Sequence, residues 1–130
     1  MGQLPEELGF EVSERIARSA EDLYRAVTAP ECSCQYFMVR STGPLVAGAS
    51  VTWSWPTGPD VVVRVEAATP AREVVLAWRA HQVEYDTRVR IAFEPDVAGA
   101  GVTVVRVQES GWRPDAAGLA SSYEHAAGAA

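Results

Sequence analysis

Two ionisable residues interrupt apolar stretches of this sequence and are its first candidates for acid–base chemistry. Glu14 lies where Phe10, Val12 and Ile16 alternate with polar residues, and it falls on the apolar side of that alternation. Tyr85 begins a longer alternating segment, also on its apolar side. A carboxyl or phenol group that faces an apolar cavity is the kind of group that general acid–base catalysis uses.

A structural role competes with this interpretation. Near the end of a strand, a carboxylate on the apolar side can instead form a salt bridge or lie at the rim of the sheet, and we interpret Glu14 in this way. Glu109, close to the turn residue Gly111, is interpreted similarly. Glu14 and Tyr85 therefore remain candidates only, and the sequence assigns no catalytic residue.

Metal and cofactor motifs are not recognisable in the sequence. The two histidines, His81 and His125, are far apart along the chain, and His81 falls in an expected surface loop. Cys32 and Cys34 would point about 200° apart on a helix, so one ion could not be bound by both. The glycines around Gly101 lack the Lys and Ser or Thr of a phosphate-binding loop. We therefore predict no metal ion and no cofactor.

Large aromatic residues are concentrated on the apolar side of the expected strands. Each can bury roughly 150–250 Å², and together they would overfill a thin two-layer domain unless they surround a space. A ligand cavity is therefore predicted, with ordinary core packing as the alternative for any one residue. The predicted cavity residues are Tyr36, Phe37, Trp53, Trp55, Val63, Trp78, Tyr85, Val89, Phe93 and Val105.

The elements that would position these residues are mostly strands with period-two alternation. After Arg40, several such runs follow one another, separated by short turn-forming segments, so an antiparallel meander is expected. Apolar residues occupy one face. Arginines interleaved with acidic residues occupy the other, which predicts cross-strand ion pairs. These outward residues are Arg64, Arg79, Arg88, Arg90 and Arg106.

Helices must cover the apolar face of such a sheet. Ser19, with Asp22 three residues later, predicts the start of a first helix, and a short second helix is predicted over Glu31–Phe37. A third helix is predicted from Ala116. Its apolar face is expected to comprise Leu119, Tyr123, Ala126 and Ala130.

The third helix ends without a capping signal and looks truncated. At 1.5 Å per residue, about fifteen residues span roughly 22 Å. That is too little to cover a sheet face that carries Trp53, Trp55 and Trp78. We therefore expect either an open cleft beside the C-terminus or a homodimer contact that covers these indoles.

Length and composition indicate one ordinary domain over residues 1–130. The chain has 48% hydrophobic and 22% charged residues, and its 11 basic residues, all arginine, leave a net charge of -6. Sequence-independent nucleic-acid binding is not expected of such an acidic chain. The sequence contains no signal-peptide pattern, no membrane-spanning run and no disulfide framework, so a cytoplasmic location is predicted.

Seven short segments carry a resemblance to a known family. They are Ala29-Pro-Glu31, Tyr36-Phe37, Ser41-Thr-Gly-Pro-Leu45, Val51-Thr-Trp53, Tyr85-Asp-Thr87, Phe93-Glu-Pro95 and Glu109-Ser-Gly-Trp112. In this order and spacing they resemble the START-like superfamily called SRPBCC, and within it the branch named after the activator of the heat-shock-protein-90 ATPase. The resemblance extends over nearly the whole chain.

The resemblance implies an α+β helix-grip fold, in which a curved antiparallel sheet of six to seven strands, two short helices and a C-terminal helix enclose a hydrophobic cavity. Members hold lipids, sterols, plant hormones or polyketides there. We therefore expect binding of a small apolar molecule without catalysis. One alternative is a polyketide cyclase- or dehydratase-like enzyme with Glu14 or Tyr85 as its acid–base group. Another is a chaperone-associated interaction module that uses the outer face of the sheet.

Overall fold

The computed structural model describes residues 8–29, 40–54, 59–80, 83–97 and 99–129, which contain seven strands and two helices. The strands are β1 (Leu8–Ile16), β2 (Arg40–Ser41), β3 (Ser50–Ser54), β4 (Val61–Thr69), β5 (Glu73–Arg79), β6 (Asp86–Pro95) and β7 (Thr103–Trp112). The helices are α1 (Ala20–Thr28) and α2 (Ala116–Ala129).

All seven strands form one antiparallel sheet in the order β1-β7-β6-β5-β4-β3-β2. Strands β2 to β7 make a meander, whereas β1 pairs with β7 at the far edge. The predicted α+β helix-grip class is confirmed. Strand β2 is an addition to the sequence prediction, because two residues are too few to show an alternation.

The two faces of the sheet have the predicted compositions. Val63, Leu76 and Val89 belong to a buried apolar core. The opposite face carries cross-strand ion pairs, as expected. They join Arg64 and Arg79 to Asp86, Arg88 to Glu66, Arg90 to Glu73, and Arg106 to Glu94.

These ion pairs lower the pKa of two of the carboxyl groups that they contain. The hydrogen bond from Arg64, with a second one from Arg79, holds the pKa of Asp86 below its usual range. The hydrogen bond from Arg88 does the same to the pKa of Glu66. Both carboxylates are therefore stabilised in their ionised form on this face.

Helix α1 begins where the capping signal predicts. The Ser19 hydroxyl oxygen accepts a hydrogen bond from the Asp22 backbone N–H at 3.1 Å, which satisfies one otherwise unpaired donor. Leu23 is buried, and the Tyr24 ring meets Phe93 edge-on with centroids 5.8 Å apart. Burial raises the pKa of the Tyr24 phenol. These contacts place α1 against β6.

A bulge near the end of β7 redirects its last residue. Leu8 opposes Trp112 but the adjacent Gly9 opposes Ser110, so Gly111 is an extra residue on β7. The φ of Gly111 is 109°, in the left-handed region that glycine adopts without a Cβ clash. The bulge turns Trp112 to the apolar side, where its exposure is 0%.

Helix α2 turns a different face to the sheet from the predicted one. Leu119 and Tyr123 are 49% and 72% exposed, whereas Ser121 is buried and His125 is half-buried. The predicted face is wrong because the apolar residues of the helix alone do not determine which side packs on the sheet. The sheet under α2 instead presents hydrogen-bonding groups, including the carboxylate of Glu109.

The predicted gap over the indoles is not found at Trp53. Its exposure is only 6% within a single chain, because it packs edge-on against Trp78 at 5.9 Å and against the surrounding core. Trp78 itself is half-buried. The expected exposure of Trp53 is therefore wrong, whereas the expected homodimer stays a prediction.

Several predictions concern residues outside the described ranges. These are the second helix at 31–37, and Cys32, Cys34, Tyr36, Phe37, Trp55, His81 and Ala130. Within the described ranges, neither helix has the length and apolarity needed to cross a bilayer.

Candidate functional site

A carboxylate lies buried between β7 and α2. Glu109 is 3% exposed, and its Oε2 atom accepts hydrogen bonds from the Trp78 indole N–H at 3.0 Å and the Thr87 hydroxyl at 2.6 Å. The Nδ1 atom of His125 lies 2.9 Å from both carboxylate oxygens. Groups from β5, β6 and α2 therefore converge on one side chain of β7.

Aromatic rings surround the imidazole. His125 meets Trp78 with centroids 5.9 Å apart at 80°, and Trp112 with centroids 5.1 Å apart at 84°. Trp78 also meets Trp53 at 5.9 Å, and Trp112 stacks on Phe10 at 5.8 Å. We call these five residues, Phe10, Trp53, Trp78, Trp112 and His125, the aromatic row.

Local contacts fix where α2 places its histidine. Asp115 caps the helix, because its Oδ1 atom accepts a hydrogen bond from the Gly118 N–H at 2.8 Å. Further along the helix, the buried Ser121 hydroxyl accepts the indole N–H of Trp112 at 3.0 Å. Ser121 and His125 are four residues apart and so share one side of α2. Both are held to the sheet by hydrogen bonds.

The carboxylate–imidazole pair is an acid–base unit by its geometry. An ionised carboxylate only accepts hydrogen bonds, so Glu109 can take all three donors at once. When Nδ1 of His125 donates to Glu109, the imidazole lone pair is at Nε2, on the other edge of the ring. In the described part of the chain, no three His, Cys, Asp or Glu side chains come together as a metal site.

Nine of the ten predicted cavity residues divide into three groups. Trp53, Val63, Val89 and Phe93 are buried in the core, Trp78 and Val105 are half-buried, and Tyr36, Phe37 and Trp55 lie outside the described residues. The remaining one, Tyr85, is half-buried and precedes β6. The structure thus joins Trp53 and Trp78 to the aromatic row.

The two candidate acid–base residues of the sequence have other surroundings. Tyr85 precedes β6 in a bend, its hydroxyl oxygen accepts the backbone N–H of Arg113 at 3.0 Å, and the Arg113 guanidinium lies 4.6 Å from its ring centre. Glu14 is exposed on β1, opposite Val105. Neither residue contacts the Glu109 carboxylate through a hydrogen bond that the described structure contains.

Sequence reasoning missed the pairing of Glu109 with His125. Glu109 is not at a rim but buried, although it does pair with a basic side chain. A signal existed, because the inward alternation of Thr103, Val105 and Val107 extends to position 109. His125 gives no such signal, since only the packing of α2 brings it to the strand.

A groove of about 570 Å³ lies on the ion-paired face, away from the aromatic row. Its lining includes Arg64, Glu66, Asp86 and Arg88. These four side chains pair across the strands, Arg64 with Asp86 and Arg88 with Glu66. Paired charges of this kind favour a structural role for the groove.

The chain is similar to proteins of known structure. A family model described as Activator of Hsp90 ATPase homolog 1-like protein matches residues 17–128. No curated protein matches the chain. Protein MLL2253 from Mesorhizobium loti is 24% identical with a TM-score of 0.74, and the match covers 94% of this chain and 85% of that one.

Two further similar structures are an Aha1 dimer and an Hsp90 activator. The Aha1 dimer from Colwellia psychrerythraea is 18% identical with a TM-score of 0.75, over 94% of this chain and 90% of that one. An Hsp90 activator from Plasmodium falciparum is 16% identical with a TM-score of 0.63, over 78% of this chain and 71% of that one. At such identities, the likeness shows the fold alone.

Proposed function

The chain belongs to the family of Activator of Hsp90 ATPase homolog 1-like proteins, and from that premise we propose that it binds a small, largely apolar molecule between the apolar face of its sheet and its helices. One fold hosts many functions, so the residues of the site, rather than the family, support this function.

The aromatic row is the observation that carries this proposal. It sets Trp53 and Trp78 side by side and places the polar pair of Glu109 and His125 next to them. Small-molecule sites combine mostly apolar and aromatic walls with a few placed polar groups. Trp78 is half-buried and the His125 side chain is 13% exposed, so the middle of the row remains accessible to solvent.

The distribution of the helices supports the same location. Among the described elements, α1 packs chiefly on β6, and α2 on β1 and β7. Strands β3 to β5, which carry Trp53, Val63 and Leu76, lie beyond those principal contacts. Because the inward residues Trp53, Val63 and Leu76 of these strands are buried, we place the ligand beside the half-buried Trp78, with its polar end toward Glu109 and His125.

Calorimetric titration tests the proposal with three probes of different apolar shape: oleate, 2-naphthol and alizarin. We expect saturable binding of at least one probe in the micromolar range, which corresponds to about −8 kcal/mol. In Val105→Phe, a larger side chain intrudes on the apolar side from β7, because Val105 packs against the core there. The affinity should fall about tenfold, or about 1.4 kcal/mol.

Val104→Phe is the matched control, because its side chain alternates to the opposite face of the same strand. It should leave the affinity unchanged. Equal weakening by both variants would contradict a ligand on the apolar face. Failure of the folded protein to bind any of the three probes would favour an interaction module instead.

A further inference from the structure

We propose that His125 is a general base, positioned by Glu109, that moves a proton on the molecule held beside the aromatic row. This inference rests on the proposed binding function and adds an activity to it. The substrate class is an uncharged apolar carbonyl compound with an acidic hydrogen on the carbon next to the carbonyl group.

The Glu109 carboxylate is held in one position by its hydrogen bonds. Trp78 and Thr87 both donate to Oε2 of Glu109, at 3.0 Å and 2.6 Å, from two neighbouring strands. The carboxylate therefore cannot rotate without losing a hydrogen bond. A carboxylate held in this way selects one tautomer and one orientation of the imidazole that it contacts.

The His125 imidazole is also held in one orientation. Its Nδ1 atom faces Glu109, and Trp78 and Trp112 meet its ring nearly at right angles, which fixes the ring plane. Nε2 is consequently directed away from the carboxylate. The His125 side chain is 13% exposed, so part of it can be reached from outside the core.

A purely structural role for the pair explains less. Replacing both partners of a hydrogen-bonded pair by apolar residues can be nearly neutral or stabilising, so docking α2 does not require the pair. Helix α2 also has apolar residues, Leu119 and Tyr123, that remain exposed. A helix that holds His125 against Glu109 and exposes Leu119 is arranged around the carboxylate rather than around apolar burial.

The reaction that this geometry supports is a proton shift. Nε2 of His125 takes the proton from the acidic carbon, the C–H bond breaks, and its electron pair moves to the carbonyl oxygen to form an enolate. Return of the same proton to oxygen or to another carbon completes an isomerisation, so atoms and electrons balance without a co-reactant. The apolar surroundings and the Glu109 carboxylate favour an uncharged substrate over an anion.

The ring opening of 5-nitrobenzisoxazole tests the base directly. A base removes the proton on carbon, the N–O bond breaks, and a coloured cyanonitrophenolate forms. We expect the native protein to accelerate this reaction beyond an equal concentration of free imidazole. His125→Gln should lose on the order of 100-fold of the rate, which is the usual contribution of a general base. His81→Gln removes the other histidine of the chain and is the control.

The positioning role of Glu109 has its own readout. In Glu109→Gln the side-chain amide can donate to Nδ1 and so leave Nε2 protonated, and kcat should fall about 100-fold while KM changes by less than about twofold. Glu94→Gln, the same change at an exposed ion pair, should retain the native kcat and KM. A change in KM alone would indicate a binding role and overturn the proposed base.

Binding is measured separately with the unreactive analogue 5-nitrobenzotriazole. Binding without ring opening would overturn the base and leave the proposed binding function intact, whereas neither binding nor ring opening would contradict both. Should His125→Gln fail to fold, diethyl pyrocarbonate on the native protein replaces it. We expect loss of rate in proportion to modification of His125, mapped by mass spectrometry and reversed by hydroxylamine. A native rate that survives modification of His125 would overturn the proposal.

Discussion

Glu109→Ala should be among the costly substitutions in this protein, because it removes the shared acceptor of one buried and two half-buried donors. Trp78, Thr87 and His125 all lie within 3.0 Å of its carboxylate oxygens. Each buried donor left without a partner costs about 1–3 kcal/mol. The Thr87 hydroxyl can rotate and His125 can exchange its tautomer, so the lower part of that range applies to both.

The expected loss is therefore about 3–5 kcal/mol of unfolding free energy, similar to that for breaking a buried ion pair. Domains of this size have only about 5–15 kcal/mol in total. Equilibrium unfolding in urea, followed by tryptophan fluorescence, measures the change. The slope of free energy against urea should stay constant, because the surface exposed on unfolding is nearly the same.

Glu94→Ala is the matched control, since Glu94 pairs with Arg106 at 2.7 Å on the exposed face. Surface pairs contribute at most about 1 kcal/mol, so this variant should remain close to the native protein. A double-mutant cycle with His125→Ala should give about 1.5–3 kcal/mol of coupling between Glu109 and His125. Equal small losses in the two alanine variants, without coupling, would refute the buried cluster.

Three further predictions concern Gly118, the pair of Arg64 and Asp86, and the pair of Glu109 and His125. Gly118→Ala should destabilise the protein although Ala is favoured in helices by about 1 kcal/mol, because an added Cβ would collide with a backbone carbonyl oxygen; a gain in urea midpoint would contradict this. The hydrogen bond from Arg64 is the main cause of the lowered pKa of Asp86. The pair therefore stabilises the folded protein fully above the unfolded pKa of about 3.9, and this stabilisation is lost as the pH falls through the lower pKa of the folded state. The stability gap between the native protein and Arg64→Gln should thus shrink below about pH 4, and a gap constant down to about pH 2 would be evidence against it. Glu109→Leu combined with His125→Leu should abolish ring opening and cost less stability than Glu109→Ala, because only Trp78 and Thr87 then lack their acceptor; a fully active double variant would exclude the proposed base.

The sheet could be predicted from the sequence because its signal is local and repeated. Every second residue of a strand faces the same way, so Val63 and Arg64 are assigned to opposite faces by a short segment alone. The Ser19 cap is similarly local, since its partner Asp22 lies in the first turn of the same helix. The burial of Trp112 could not be predicted, because it depends on the extra residue Gly111 that shifts the register.

The site was harder to predict because it joins distant segments. Thr87, Glu109 and His125 come from two strands and a helix, and no local pattern brings the three together, although Thr87 and Glu109 each belong to a segment that carries the family resemblance. Counting apolar residues also gave the wrong face of α2. The apolar residues of this helix alone predict that Leu119, rather than Ser121, faces the sheet. The buried carboxylate of Glu109 and the buried indole N–H of Trp112 instead each need a hydrogen-bonding partner from the helix.

The orientation of α2 is a local conflict between stability and chemistry. Turning Leu119 toward the sheet would bury an apolar side chain with a gain of roughly 1.5–3 kcal/mol. The helix instead buries Ser121, half-buries His125 and leaves Leu119 about half exposed. Because natural sequences break local rules of this kind mostly at functional or strained sites, the polar side of α2 is where function is expected. The same side contacts Glu109 and the aromatic row, so the unfavourable packing of α2 and the proposed acid–base pair occur at one place in the fold.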